Sequence, residues 1–416
     1  MSERIVIKEI CEVYDGPHAT PKKTVDGPVY LGIDAITDDG KINAKEFAHL
    51  SEKDYIKWTK RVIPQYGDIV FSYEATLGRY ALIPKDFYGC LGRRLAIIRN
   101  VSKDIDTLWL YYYFLSPEWK QFIQSKIIKG STVNRISVED FPTYTVPNIS
   151  IKVQRKIANI LSKIDEKIAL NNNINDNLEQ QLMLLYDYWF TQFDFPDNDG
   201  KPYQTSGGKM VWNDTLKRNI PENWKVQSVI SNCLFSIIKP GVEIFNTKTY
   251  LATADVKGTS ISTGTIVDYD DRESRANMQP SINSVWFAKM KNSIKHLYLN
   301  KEMQPIISSC ILSTGFCGLQ CNEISFEYIA SYVSNAYFEI HKDMRAHGAT
   351  QEAVNNDDLA GIHIIIPKDT VLRAFHEATQ AIYAQISKNI CENQELVKLR
   401  DWLLPMLMNG QATISD

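Results

Sequence analysis

The sequence has no long hydrophobic run and no excess of charge of one sign. An apolar stretch such as Ile362–Ile366 is far shorter than the roughly 20 residues that a membrane-spanning helix needs. The start, Met1–Val6, also lacks the apolar region of a signal peptide. The 46 basic and 49 acidic residues give a net charge of −3, which excludes a generally basic polyanion binder but leaves a local basic face possible. We therefore expect a soluble, cytoplasmic protein.

Cysteine is also scarce. The seven cysteines are scattered and odd in number, which favours a reducing compartment over a disulfide framework. Cys310, Cys317 and Cys321 are close in sequence, but a zinc site would need a fourth ligand from elsewhere. Buried thiols on strands are the favoured interpretation of this group.

Familiar catalytic motifs are missing. The sequence has no P-loop, no G-x-G-x-x-G, no H-E-x-x-H, no G-x-S-x-G and no Asn-Pro-Pro-aromatic tetrad. Asp68 and Glu74 could suggest a nuclease carboxylate pair, but Thr76 stands where a lysine would be needed. Asp68 is better interpreted as a turn residue. We expect this chain to catalyse nothing by itself and to hold no metal or cofactor.

What the sequence does contain is an internal repeat. A length of 416 residues, 44% of them apolar, allows two or three packed domains. Adding 218 takes Gly130 to Gly348, Thr132 to Thr350, Ile136 to Val354, Asp140 to Asp358, Ile164 to Ile382, Ile168 to Ile386, Asn171 to Asn389, Asn175 to Asn393, Leu178 to Leu396 and Leu185 to Leu403. One register held across both a loop and a helix indicates a tandem duplication.

Each half of the repeat has a strand-rich part followed by a long helix, which predicts an α+β fold with two mixed α/β domains. The predicted strands are 67–72, 91–98 and 144–147 in the first half, and 250–255, 284–287, 306–312 and 362–366 in the second. Helical spacing of apolar residues predicts one helix at 108–127 and a matching one at 324–340.

Two long helices end the halves. Residues 153–190 contain no glycine or proline and would span roughly 57 Å as a helix. Apolar residues and two asparagines recur in a heptad pattern at Ile157, Leu161, Ile164, Ile168, Asn171, Asn175, Leu178, Leu182, Leu185 and Trp189. The second helix repeats the pattern at Phe375, Thr379, Ile382, Ile386, Asn389, Asn393, Leu396, Arg400 and Leu403. Pro405 is expected to end its regular part.

Each heptad seam has an asparagine pair at its middle. Because buried asparagine needs a partner, we predict an antiparallel coiled coil in which Asn171 meets Asn393 and Asn175 meets Asn389. The same register opposes Leu161 to Leu403, Ile168 to Leu396, Leu178 to Ile386, Leu182 to Ile382, Trp189 to Phe375 and, as a poor match, Ile164 to Arg400. The alternative is that each helix pairs with another copy of the chain.

The composition of the remaining segments sets the expected boundaries. Residues 193–224 are rich in Pro, Gly, Asn and Asp and have little periodicity, which indicates a long connector. The expected divisions are 1–150 for the first domain, 151–191 for the first helix, 192–225 for the connector, 226–368 for the second domain and 369–410 for the second helix.

Several strings resemble the specificity subunit of type I restriction-modification systems. They are Gly67–Ser72 with Thr76–Arg79, Gly130–Ile136, Pro147 with Gln154–Ala158, and Ile164–Ile168. The second half departs from the family's pattern, because it lacks the Gly-Asp strand signature and Arg373–Ile386 lacks the Gln-Arg-Lys-Ile string.

The resemblance implies a reader of double-stranded DNA with two target recognition domains, each contacting one half of a split, asymmetric site. It implies that the helices act as a spacer and dock two methylation subunits, which bring S-adenosylmethionine. Restriction subunits that use ATP and Mg²⁺ would join the larger complex. Since B-DNA advances about 3.4 Å per base pair, a stiff spacer would fix the distance between half-sites.

Candidate DNA contacts come from polar side chains in the expected loops, because Arg and Lys suit phosphate and guanine while Asn can read adenine. In the first domain they are Thr20, Lys22, Lys23, Tyr73, Arg79, Arg93, Arg94, Thr132, Asn134 and Arg135. In the second domain they are Lys248, Arg272, Arg275, Ser313, Thr314, His347, Thr350 and Gln351.

Three alternatives stay open. A coiled-coil interaction scaffold without DNA readout would show no clustering of Arg and Lys on a common face of its globular parts. A nuclease or methyltransferase would need a carboxylate cluster or a cofactor pocket. A fused or type II-like system would keep DNA reading but have different partner subunits.

Overall fold

The computed structural model of the chain describes residues 3–130 and 133–412, and its contacts divide the chain into two units. The first unit comprises Met1–Glu166 and Lys398–Asp416, and the second unit comprises Lys167–Val397. Each unit has its own large hydrophobic core. The first unit is therefore discontinuous in sequence, because the end of the chain completes it.

The first unit combines short strands with three short helices and parts of the two long ones. Its strands are β1 (Arg4–Val6), β2 (Cys11–Asp15), β3 (Thr24–Leu31), β4 (Ala48–His49), β5 (Ile69–Ser72), β6 (Tyr80–Leu82), β7 (Gly89–Leu91), β8 (Leu95–Asn100) and β9 (Thr145–Pro147). Its short helices are α1 (Glu52–Trp58), α2 (Thr107–Leu115) and α3 (Pro117–Ser125). The first long helix, α4 (Ile151–Tyr186), begins here.

The second unit contains the remaining strands and helices. Its strands are β10 (Met210–Asn213), β11 (Arg218–Pro221), β12 (Lys225–Ser228), β13 (Phe235–Ile237), β14 (Thr247–Leu251), β15 (Val256–Lys257), β16 (Ser260–Ile261), β17 (Thr265–Asp268), β18 (Ala276–Met278), β19 (Ser284–Ala288), β20 (His296–Leu299), β21 (Cys310–Ser313), β22 (Phe316–Cys321) and β23 (His363–Ile366). Its helices are α5 (Gln304–Ser309), α6 (Phe326–Ser334), α7 (Ala336–Arg345) and most of α8 (Asp369–Met408).

The sheets of the two units have the same plan. In the first unit an antiparallel sheet has the order β2-β8-β5-β6, and a second sheet, β4-β3-β7, contains the parallel pair β3–β7. In the second unit the antiparallel sheet is β13-β22-β19-β20, and β17-β14-β21-β18 contains the parallel pair β14–β21. The pairs β1-β9 and β12-β23 close the two units in the same way. The predicted α+β class and internal repeat are confirmed.

The two medium helices were each predicted as one piece, and that was wrong. The helix expected at 108–127 is α2 and α3, and the helix expected at 324–340 is α6 and α7. Ser116 has extended backbone and its side chain caps α3, whose first residue is Pro117. Asn335 takes the same conformation before α7 and accepts a hydrogen bond from the Tyr337 backbone N–H. Proline and capping side chains begin a new helix where apolar spacing alone suggests continuity.

Several predicted strands have different bounds. The segment 91–98 contains the end of β7, a turn and the start of β8, while β14 stops at Leu251 before a 3₁₀ turn over Thr253–Asp255. The strand expected at 306–312 begins only at Cys310, because Gln304–Ser309 form α5 with Pro305 in its first turn. A short apolar run does not by itself distinguish a strand from a buried helical turn.

The long helices have the predicted positions, with one correction. α4 passes at its end into a π-helical turn over Asp187–Thr191. α8 does not end at Pro405 but continues to Met408. A proline this close to a helix end removes one backbone hydrogen bond, and burial of Leu404, Leu407 and Met408 in the first unit's core offsets that loss. Among the helices of the described residues, none is both long and apolar enough to cross a membrane.

The antiparallel pairing of α4 with α8 within one chain is confirmed in the second unit. The Asn171 amide donates to the Asn393 side-chain oxygen at 2.9 Å, and the Asn389 amide donates to that of Asn175 at 2.8 Å. Trp189 and Phe375 meet edge to face with ring centroids 5.4 Å apart. The asparagine pairs therefore fix the register, as their position in the heptads predicted.

In the first unit, the poor match of Ile164 with Arg400 is resolved by a neighbouring residue. An Nη1 of Arg400 lies 2.9 Å from Asp165 Oδ1, and Asp165 Oδ2 accepts a hydrogen bond from the Tyr112 hydroxyl at 2.7 Å. The arginine is therefore paired at the edge of the seam rather than buried against an isoleucine.

The segment predicted as a connector is more ordered than its composition indicated. Residues 210–221 form the hairpin β10–β11. Phe193, Phe195 and Trp224 are buried in the second unit's core, and the Phe195 and Trp224 rings stack with centroids 4.9 Å apart. Its aromatic residues, not its turn-forming residues, decide its structure.

The three clustered cysteines are buried on strands, as favoured from the sequence. Cys310 begins β21, and Cys317 and Cys321 lie on β22. Burial raises the pKa of the Cys317 thiol to about 12. No group of three or more His, Cys, Asp or Glu side chains that could hold a metal is found among residues 3–130 and 133–412.

Candidate nucleic-acid interface

Backbone hydrogen bonds bring three loops of the first unit together. The Tyr73 N–H donates to the Arg94 carbonyl at 3.1 Å, and the Ile136 N–H donates to the Tyr73 carbonyl at 2.8 Å. The Gly16 N–H donates to Leu95 O at 3.0 Å, which adds the loop after β2. We call residues 16–23, 73–79, 92–94 and the described part of 128–136 the first loop cluster.

Close backbone approach explains Gly16 and Gly92 of this cluster. A Cβ on Gly16 would lie 2.3 Å from the Leu95 carbonyl oxygen, and one on Gly92 would lie 2.4 Å from that of Leu31. Arg94, with φ of 73°, completes the turn between β7 and β8. The turn places the side chain of Arg93 in solvent, where its charge is available to a ligand.

The candidate residues of the first unit fall into distinct groups. Those exposed to solvent are Thr20, Lys22, Lys23, Arg93, Asn134 and Arg135. Arg79 lies 2.6 Å from Asp38, and Arg94 lies 3.3 Å from Glu74, so both arginines are engaged in ion pairs. Tyr73 is buried, and burial together with the nearby Asp15 raises the pKa of its hydroxyl. Thr132 lies outside the described residues.

The structure adds cationic residues that the sequence reasoning missed. Lys57, Lys60 and Arg61 follow one another at the end of α1 and are exposed. With Pro17, His18, Ala19 and Trp58 they line a cleft of about 470 Å³. We call it the α1 cleft. The only sequence indication was a run from Tyr55 to Gly67 that contains three basic residues and no acidic one.

The second unit has an equivalent arrangement of loops. The Val354 N–H donates to the Lys289 carbonyl at 3.0 Å, matching the bond between Ile136 and Tyr73 in the first unit. The Lys289 N–H donates to Gly315 O at 2.9 Å, and the Thr314 N–H donates to Arg275 O at 2.8 Å. We call residues 269–276, 289–295, 313–315 and 347–354 the second loop cluster.

The candidate DNA-contact residues of the second unit also differ in how accessible they are to a ligand. Arg275, His347, Thr350 and Gln351 are exposed, and Thr314 is half-buried. Arg272 lies over the Tyr269 ring with its guanidinium 3.9 Å from the centroid, and the Lys248 ammonium is 5.6 Å from that of Phe245. Ser313 is buried and accepts a hydrogen bond from the Gly315 N–H.

Two further cations of the second loop cluster, Lys291 and Lys295, were also missed from the sequence. Lys291 forms an ion pair with Glu352 at 2.7 Å, and the Lys295 ammonium donates to the Thr253 carbonyl at 2.5 Å. Both lysines lie in the loop between β19 and β20. Asn292, Ser293 and Ile294 separate the two lysines, so no continuous basic run revealed them.

The carboxylates weighed as a nuclease pair have structural partners. Asp68 is buried, accepts two hydrogen bonds from the Arg99 guanidinium at 2.6 and 2.8 Å, and accepts one from the Gln65 N–H. Glu74 faces Arg94. Asp68 therefore holds the turn before β5, as the turn interpretation predicted.

Comparison with known proteins agrees with the sequence motifs. Residues 2–180 match the family model for the type I restriction modification DNA specificity domain. The type I restriction enzyme MjaIX specificity subunit of Methanocaldococcus jannaschii is 24% identical over 379 residues, which cover 88% of this chain and 82% of that protein. The HindI specificity subunit of Haemophilus influenzae is 22% identical over 430 residues, covering 89% and 93%.

Among solved structures, the crystal structure of a type I restriction-modification system S subunit from M. genitalium aligns over 99% of this chain and 96% of that chain. Its TM-score is 0.46 and its sequence identity is 13%. The resemblance that the sequence motifs indicated is confirmed: residues 2–180 match the type I restriction modification DNA specificity domain, and the chain resembles type I restriction enzyme specificity subunits over most of its length.

Proposed function

We propose that this chain is the sequence-specific DNA-binding subunit of a type I restriction-modification complex, with each unit reading one half of a bipartite, asymmetric site. The observation that carries the proposal is that one sheet plan occurs twice and presents different side chains on equivalent loops. The first loop cluster exposes Arg93, Asn134 and Arg135, while the second exposes Arg275 and Gln351. Equivalent loops that carry different side chains suit a DNA site whose two halves differ in sequence.

Exposure and charge suggest how the candidate residues divide their roles. Lys22 and Lys23 are exposed at the end of the loop before β3 and suit phosphate contacts, which position a protein without reading sequence. Arg93 and Arg135 suit guanine, and Asn134 suits adenine, because their donors and acceptors match those base edges. Arg79 and Arg94 would have to leave Asp38 and Glu74 before they could contact DNA.

The chain is the non-catalytic member of this proposed complex. S-adenosylmethionine would be bound by two methylation subunits, and ATP and Mg²⁺ by restriction subunits. Exposed apolar side chains on the long helices, such as Leu170, Leu184 and Trp402, are candidates for docking these partners. A net charge of −3 agrees with weak DNA binding by the isolated chain and with partners that supply further phosphate contacts.

Methylation mapping tests this proposal. We expect host DNA methylated by the reconstituted complex to carry a bipartite motif with a fixed non-specific gap. Arg135→Ala should relax or weaken recognition at one half of the motif only, by about 1–3 kcal/mol, and Gln351→Ala should act on the other half.

A scaffold without DNA readout predicts that neither variant changes the motif. That result, or a continuous motif without a gap, would contradict the proposal. Lys45→Ala serves as the control, because Lys45 is exposed and lies outside both loop clusters.

A further inference from the structure

We propose that the α1 cleft of the first unit is a binding site for the DNA sugar–phosphate backbone, formed chiefly by Lys57 and Lys60. This inference rests on the proposed DNA-binding function. It adds a site that binds DNA regardless of sequence and lies beside the loops proposed to read bases; we call this site the clamp. The ligand class is a phosphodiester of duplex DNA, not a free nucleotide or a base.

Hydrogen bonds within the protein hold the walls of the cleft in place without a ligand. The Trp58 indole N–H donates to the Ala19 carbonyl at 3.3 Å, and an Arg61 Nη1 donates to the Gly16 carbonyl at 3.2 Å. Thr59, at the end of α1, donates its hydroxyl to the Tyr55 carbonyl at 2.7 Å. The Trp58 and Arg61 bonds tie the end of α1 to the loop after β2, so little ordering remains for the protein when a ligand binds.

The cleft has uncompensated positive charge. The Asp15 carboxylate lies near the cleft and is already engaged by His18 at 2.7 Å and Arg61 at 3.5 Å. Lys60 is exposed and makes no ion pair within the described part of the chain, and the Lys57 ammonium lies 4.6 Å from the centre of the Trp58 ring. Clustered cations without matching carboxylates repel one another, and a bound anion removes that cost.

The shape and chemistry favour a backbone segment over a compact anion. The cleft is open, at about 470 Å³, and Pro17 and Trp58 give it an apolar wall that suits a deoxyribose. Lysine ammonium groups act as flexible point charges, which suits phosphate contacts that carry no sequence information. A base-reading site would instead need fixed, directional donors and acceptors.

The position of the cleft links it to the first loop cluster. The same loop that forms one wall is held by the Gly16–Leu95 backbone bond and continues to the exposed Lys22 and Lys23. A duplex read by Arg93 would therefore have its backbone within reach of these lysines. In the second unit the equivalent stretch between β14 and β19 forms β15, β16, β17 and β18 and, within the described residues, no α-helix. The clamp is thus specific to the first unit.

The test compares Lys57→Ala/Lys60→Ala with the matched control Lys45→Ala/Lys53→Ala in the full-length chain. All four lysines are exposed, and the control pair does not line the cleft. Fluorescence anisotropy would measure binding to a duplex containing the mapped motif and to a scrambled duplex, over a series of salt concentrations. Thermal unfolding would check that both variants are folded.

We expect the cleft variant to bind both duplexes about tenfold more weakly, with the slope of log affinity against log salt reduced by about one to two. Lys57→Arg/Lys60→Arg should keep most of the affinity. Single phosphates of the motif duplex can be replaced with neutral methylphosphonates. At some positions this replacement should lower the affinity of the wild type for the duplex but not that of the cleft variant.

Two results would overturn the inference. One is a cleft variant that behaves like the control, and the other is a loss confined to the motif duplex, which would indicate base readout. If the wild-type chain binds neither duplex, with or without its methylation subunit, the proposed function itself fails instead.

Discussion

At the scale of single residues, the least exposed charge in the second unit lies on Lys342. Its ammonium lies 2.6 Å from Glu339 Oε2, and the other carboxylate oxygen of Glu339 lies 2.9 Å from His296 Nε2. Lys342 also donates to the Ala288 and Ser293 carbonyls, each at 3.3 Å. The cluster therefore joins α7 to both ends of the loop that carries Lys289 and Lys291.

The charge state of Glu339 makes the second unit's stability depend on pH. Burial raises the pKa of this carboxyl, but hydrogen bonds from His296 and Lys342 outweigh burial and bring the pKa below its ordinary value of 4.5. A folded-state pKa below the unfolded one means that the ionised group stabilises the fold above about pH 4.5. This contribution is lost as the pH falls through the folded-state pKa.

We expect Glu339→Gln to lower the free energy of unfolding of the second unit by about 3 kcal/mol at pH 7, because it removes the nearer counter-ion of the buried Lys342, at 2.6 Å, and leaves only Asp343, at 3.6 Å. Denaturant titrations between pH 7 and pH 3 should show the gap between wild type and variant closing at low pH. Glu352→Gln, in the more exposed pair with Lys291, should change stability by less than about 0.5 kcal/mol. A gap that stays constant with pH would refute this account.

At the scale of elements, the asparagines determine how α4 and α8 pair in the second unit. Asn171, Asn175 and Asn389 are almost fully buried. Two further bonds involve these amides: Gln385 donates to Asn389 at 2.8 Å, and Asn393 donates to Asn172 at 2.9 Å. A shift of the seam by one heptad would leave buried amides without partners, which makes the observed register specific.

Replacing one member of an asparagine pair should cost more than replacing both. We expect Asn389→Leu to destabilise the second unit by about 1–3 kcal/mol, because the buried Asn175 Oδ1 would lose the donor that Asn389 provides at 2.8 Å. The double variant Asn175→Leu/Asn389→Leu should recover most of that loss, since it removes both polar groups.

A double-mutant cycle from denaturant unfolding would measure this coupling. Asn177→Leu, at an exposed position of α4, is the matched control and should have little effect. If the double variant changes the free energy of unfolding by the sum of the two single changes, the two asparagines do not act as a pair.

At the scale of the whole molecule, the first unit needs both ends of the chain. Leu404, Leu407 and Met408 lie in the same hydrophobic core as Ile157 and Leu161. Their sequence separation exceeds 200 residues, so this core can be completed only after the second unit's sequence has been made. The buried residues of the second unit's core, by contrast, lie entirely within residues 182–390.

Truncation after Val397 should therefore destabilise the first unit selectively. Loss of three buried apolar side chains would remove on the order of 5 kcal/mol of stabilisation from it. We expect faster hydrogen exchange in α2 and little change in α6, measured by mass spectrometry. Trp402→Ala, which removes an exposed side chain, is the control. Equal protection of α2 in the truncated and complete chains would contradict the prediction.

The sequence by itself determined the features that depend on near neighbours and on periodicity. Heptad spacing determined the two long helices, and the asparagine pairs determined their antiparallel register. The constant offset of 218 determined the internal repeat. Motif strings in the first half were sufficient to indicate the family.

Tertiary structure alone decided which side chains are available at the candidate interface. Tyr73 looked like a contact residue but is buried, and Arg79 is paired with Asp38, which is 41 residues away in sequence. The α1 cleft exists because Trp58 and Arg61 donate hydrogen bonds to the carbonyls of Ala19 and Gly16, which lie in a loop distant in the sequence. Such contacts depend on strand order and close backbone approach across the fold, and local composition does not encode them.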